Sequence, residues 1–133
     1  MPRIGRIVSA FSVAALALGG SLVVASQANA VGGCASDGLC VYSGANFTGS
    51  KITTRSTNSC FSLYDGIGGP FENGRIVSYV NNLSVVAYIW DYNYTNKTWS
   101  KSRTLPSGGF SSDIRPNGLG FMVCQGSAHP SNF

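Results

Sequence analysis

Acidic side chains are scarce in this chain. Its 133 residues include five Asp+Glu against nine Lys+Arg, and a single histidine. Glu72 is the only glutamate, and His129 lies a few residues from the C-terminus. A catalytic carboxylate pair would need Glu72 with one of Asp37, Asp65, Asp91 or Asp113, and no spacing among them predicts proximity. A Ser-His-Asp or Cys-His arrangement would rest on that one terminal histidine. The sequence has no Gly-x-Ser-x-Gly, no His-Glu-x-x-His and no phosphate loop. Also missing is any run of ten or more residues with an apolar 3.6 period, which excludes a helical bundle. These absences argue against an enzyme. No cofactor is expected.

What the chain does have begins with a leader. Arg3 and Arg6 precede an apolar stretch broken by Gly19, Gly20 and Ser21, and Ala28-Asn29-Ala30 forms a small-x-small cleavage site. Residues 1–30 read as a signal peptide rather than a membrane anchor. Removing them leaves 103 residues, seven basic and five acidic side chains, and a net charge of +2 in place of +4. That is one small domain, 31–133, exported and extracellular, with no membrane contact after cleavage. So low a charge excludes a nucleic-acid partner. From residue 126 the chain reads as a short loose tail.

Export changes the meaning of the cysteines. All four, Cys34, Cys40, Cys60 and Cys124, lie in the exported part. An even number in a small secreted protein points to two disulfides, with three pairings open. The favoured one joins Cys34 to Cys40 as a local clasp and Cys60 to Cys124 as a long tie. The long tie is worth on the order of 4 kcal/mol in the chain-entropy model. Zinc would want Cys-x2-Cys spacing or more histidine, so no metal site is expected.

The domain reads as all β. Segments rich in β-formers occupy 39–43, 51–55, 75–80, 84–90, 98–104 and 119–124, separated by Gly, Ser, Thr and Asn. The longest loop is 64–74. A weak repeat relates 41–49 to 89–96. In the first copy Tyr42 and Phe47 would stack over a folded turn, and Gly49 suits positive φ. In the second, Trp90 and Tyr94 would do the same, with Asn96 at the glycine position. The second copy is one residue shorter between its aromatics.

Tyr42-x4-Phe47-x-Gly49 followed by Ser78 resembles the Greek-key motif of βγ-crystallins. Together with the leader, Cys34-x5-Cys40-Val41-Tyr42, Asn46-Phe47-Thr48-Gly49, Ser59-Cys60 and 77–82, the pattern is similar to secreted bacterial proteins of peptidase-inhibitor family I36. The resemblance spans 34–124. It implies two Greek keys forming a βγ-crystallin-like sandwich of about eight strands. It also implies a secreted inhibitor of an extracellular protease, a metalloprotease first, acting as a monomer by inserting a loop into the active site. Many βγ-crystallin domains bind calcium. The corresponding stretch here, 73–78, has Gly74 and Val77 at ligand positions and Arg75 inside it, so no tight site is expected.

Two segments could carry inhibition. Cys60-Phe61 is disulfide-anchored and offers the large apolar residue that thermolysin-like enzymes accept. The loop 66–72 offers Ile67 and Phe71. The plainer alternatives are a core phenylalanine beside a half-cystine, and an ordinary connecting loop. Lys97, Lys101 and Arg103 lie near Tyr92, Tyr94 and Trp99, a mixture that can grip polyanions or glycans but reads first as a solvated strand face. Four Asn-x-Ser/Thr sites, at Asn46, Asn82, Asn93 and Asn96, coincide with turns and read as turn chemistry. Two other functions fit the same fold. One is a binding or killer-toxin-like module acting at a cell wall or cell surface. The other is a stable extracellular structural protein.

Overall fold

In the computed structural model the described residues are 30–64, 71, 75–115 and 120–133. They form eight strands: β1 (Leu39–Tyr42), β2 (Lys51–Thr54), β3 (Cys60–Ser62), β4 (Ser78–Asn81), β5 (Ala87–Asn93), β6 (Thr98–Leu105), β7 (Phe110–Ser111) and β8 (Met122–Gln125). Three short 3-10 turns, Val31–Gly33, Ala45–Phe47 and Pro130–Asn132, are the only helical pieces among these residues.

The strands make two antiparallel four-stranded sheets, in the orders β2-β1-β4-β7 and β3-β8-β5-β6. The first four strands and the last four are thus two Greek-key units, and each lends its third strand to the other's sheet. The all-β sandwich expected from the turn spacing is the observed one. Six of the strands fall on the expected segments. The other two, β3 and β7, are three and two residues long.

Two boundaries move for a visible reason. The strand expected over 84–90 starts at Ala87. Asn81, fully buried, accepts from Leu83 N at 3.1 Å and donates to Val85 O at 3.1 Å and Leu105 O at 2.8 Å. One amide therefore holds the backbone of 83–85 in a turn. The strand expected over 75–80 starts at Ser78. Ahead of it Val77 N bonds Tyr42 O at 2.8 Å and Val77 O accepts from Ile114 N at 2.8 Å.

The main core lies between the sheets. Leu39 and Val41 of β1 meet Ile89 of β5, Leu105 of β6 and Val123 of β8, with Leu63 and Phe71 from the connection. A second, smaller cluster sits on the outer side of the first sheet, where Cys34 covers Cys40, Tyr42 and Val80. That cover explains why β1 and β4 are buried along their whole length, while β2 alternates. Cys34 bonds Cys40, and Cys60 bonds Cys124.

The segment from Gly126, expected to be loose, is docked. Gly126 N donates to Val86 O at 2.8 Å, Ser127 Oγ donates to Asn58 Oδ1 at 3.0 Å, and Pro130 is buried. Gly126 has φ of 63° and a β-carbon there would run into Thr57 O, so only glycine lets the chain turn so close to it.

Candidate functional site

The first repeat builds a rigid corner. Tyr42 and Phe47 pack edge to face, centroids 5.7 Å apart, and Tyr42 Oη donates to Gly32 O at 2.8 Å. Gly49 has φ of 77°, with Ser43 Oγ where a β-carbon would lie. Ser78, fully buried on the adjacent strand, donates to Gly44 O at 2.6 Å and accepts from Phe47 N at 3.0 Å. Asn46 and Phe47 both adopt positive φ, 53° and 60°, which is unusual for a phenylalanine. The Ser78 bond and the Tyr42 ring hold them there.

The second copy differs. Trp90 does not stack on Tyr94. It meets His129 at 4.6 Å and Tyr88 at 6.5 Å, while Tyr94 meets Tyr92 at 5.0 Å and Phe121 at 5.7 Å. Positive φ falls on Lys97, at 56°, not on Asn96. Asn93 and Asn96 supply the turn through their side chains. Asn93 Oδ1 accepts from Thr95 N at 2.9 Å, and Asn96 Oδ1 accepts from Thr98 Oγ1 at 2.6 Å.

Of the inhibitory candidates, Cys60 and Phe61 lie in β3, at the edge of the second sheet. Cys60 faces Cys124 and Phe61 faces Val123, so the Phe61 ring points inward and packs on the core. Ser59 O accepts from Gln125 N at 2.9 Å and Leu63 N donates to Phe121 O at 2.9 Å. By the two-residue period, Cys60 and Ser62 turn their backbone N–H and C=O groups to the open edge. Beyond β3, Ser62 Oγ accepts from Tyr64 N at 3.1 Å and donates to Tyr64 O at 2.6 Å, and the Tyr64 side chain is 55% exposed. Ile67 lies outside the described residues. Phe71 is 2% exposed and shares the core with Leu63, so its ring is not presented to a partner.

The ionisable groups make no catalytic constellation among the described residues. Asp37 pairs with Arg55 at 3.0 Å. Asp113 pairs with Arg115, whose hydrogen bonds hold its carboxyl down at about 2. Asp91 stands apart: burial raises its pKa, a hydrogen bond with Ser102 opposes the rise, and its Oδ1 has no partner among the described residues. His129 Nδ1 accepts from Ser131 N at 3.2 Å. Among the described residues no three His, Cys, Asp or Glu side chains could share a metal ion. Asn73 and Gly74 of the expected calcium stretch lie outside the described residues, and the Ser78 hydroxyl is already engaged. No helix among the described residues is long and apolar enough to cross a membrane.

Compared with known proteins, residues 27–101 match the model of peptidase inhibitor family I36. That span contains the first Greek key, Cys60 and Phe61, and runs into β6. No curated protein matches the chain.

Proposed function

From the premise that the chain belongs to peptidase inhibitor family I36, we propose that it is an exported inhibitor of an extracellular metalloprotease, acting by insertion of the loop that follows β3. The family match carries the inhibitor itself and makes the protein a non-enzyme whose partner is a protease. The loop assignment is supported by the open edge of β3. Proteases bind substrates as extended strands through backbone hydrogen bonds, and those of Cys60 and Ser62 face away from β8, with no backbone partner among the described residues, along a strand stapled by Cys60–Cys124. A stapled strand loses little freedom on binding, which favours affinity.

In this reading Phe61 is a strut that holds the strand from inside. Tyr64 and Ile67 are the side chains offered to the enzyme, and Phe71 closes the loop from the core. The experiment is a panel of purified metallo-, serine and cysteine proteases. Inhibition confined to metalloproteases is expected, and full activity of every enzyme at micromolar protein overturns the reading. Tyr64→Ala and Ile67→Ala should lower potency with unchanged melting. Phe71→Ala should instead lower stability by about 3–5 kcal/mol, measured by denaturant titration. Potency indifferent to both Tyr64→Ala and Ile67→Ala would move the site elsewhere.

A further inference from the structure

The outer faces of the two sheets differ. On the first sheet the clasped N-terminal segment covers Cys40, Tyr42 and Val80. On the second, Ala87, Ile89 and Val123 point inward, and alternation along β5 turns Tyr88, Trp90 and Tyr92 outward. Their partners across the β5–β6 ladder join them: Lys101 opposite Trp90 and Trp99 opposite Tyr92. His129 covers Trp90, but Tyr94 at the hairpin turn is 71% exposed. The result is a band of rings running about 13 Å along the strand.

Its polar chemistry is one-sided. Lys101 Nζ lies 3.7 Å from the Tyr88 ring centroid, and exposed Lys97 sits in the turn. The described carboxylates are elsewhere: Asp37 and Asp113 are paired with arginines, and Asp91, between Trp90 and Tyr92 on β5, turns inward. The hydroxyls of Tyr88, Tyr92 and Tyr94 have no hydrogen-bond partner among the described residues.

We propose that this face binds an anionic polysaccharide, independently of protease inhibition. Sugar rings lay their C–H faces on Tyr94, Tyr92 and Trp99. Sugar carboxylates meet Lys97 and Lys101, and the phenol hydroxyls bond the sugar hydroxyls. A single-stranded nucleic acid also suits aromatic and basic side chains, but it wants successive parallel platforms for its bases. Here neighbouring rings stand at 54° (Tyr92–Trp99) and 88° (Tyr92–Tyr94) to one another. Two lysines are few for a phosphate backbone and enough for spaced carboxylates.

Isothermal titration of the purified protein with carboxymethylcellulose tests this, with hydroxyethylcellulose as the uncharged match and oligothymidylate as the nucleic-acid arm. Saturable binding to the carboxylated polymer alone is expected. Tyr94→Ala and Trp99→Ala should each weaken it roughly tenfold, the loss of one stacking ring. Lys101→Gln should weaken it and flatten its salt dependence. Tyr94 is exposed enough that its removal leaves melting unchanged, so loss of binding there is not loss of fold. No binding to carboxymethylcellulose, equal binding to both celluloses, preference for oligothymidylate, or indifference to both ring removals would each overturn the proposal.

Discussion

A single hydroxyl, that of Ser78, organises the first corner. It satisfies Gly44 O and Phe47 N at once while fully buried. Ser78→Ala leaves both backbone groups unpaired, so a loss of about 1–3 kcal/mol is expected in denaturant titration. Tyr42, Phe47 and Gly49 were legible because their spacing reports a local turn, and Ser78, 31 residues beyond Phe47, entered only through the resemblance to the Greek-key motif. The positive φ of Asn46 and Phe47 was not, since L-residues seldom choose it and only the contacts of Phe47 with Ser78 and Tyr42 impose it. Asp91 was equally opaque, because its burial depends on which strands flank it. Its folded pKa lies above the ordinary 3.8 because burial penalises the charge. The neutral acid is therefore compatible with the fold, and its contribution is present below 3.8 and lost as pH rises through the folded value. Asp91→Asn should raise the melting temperature at pH 7, and the gain should vanish below 3.8; a gain that is constant with pH would refute this origin.

Among the elements, the exchanged strands are the ones sequence patterning could not find. β3 and β7 are too short to display alternation, and each becomes a strand only by pairing in the other unit's sheet. The Cys60–Cys124 bond ties one of these exchanges, joining β3 of the first unit to β8 of the second across 64 residues. Cys34–Cys40 closes a separation of six. On chain entropy, replacing the long tie by serines costs about 4 kcal/mol and the short clasp about 2 kcal/mol. Denaturant midpoints of the two double variants should therefore fall in that order. The C-terminal segment is an element of the same kind. Its His129 covers Trp90, which is 6% exposed. Truncation after Gln125 should expose the indole and shift tryptophan emission to the red. An unshifted spectrum would show that the strands alone bury it. Glycine, serine and histidine in this stretch read as loose because none has a strand pattern; its order comes from contacts with Val86 and Asn58.

For the whole molecule, a small β-sandwich with little titratable chemistry among its described residues acts through shape. Its family membership makes that action peptidase inhibition. The protease panel and the polysaccharide titration address different ends of the fold, an edge strand with its following loop and the outer face of β5 and β6, so either proposal can fail alone. By itself the sequence determined the all-β class, six of the strands and the first corner, because strand propensity, turn chemistry and the spacing of Tyr42, Phe47 and Gly49 act over a few residues; the count of about eight came from the family resemblance. Only the tertiary structure decided which aromatics are drawn into the core and which are exposed. Phe61 and Phe71 look alike in sequence to Tyr94 and Trp99 as large rings beside polar turns. Val123 opposite Phe61 and the core around Phe71 draw the first two inside. The second two lie on the outer face of the second sheet, where the C-terminal segment reaches Trp90 and Tyr94 stays 71% exposed. For Phe61 the neighbour that sets its orientation lies across the ladder and comes from the other half of the chain.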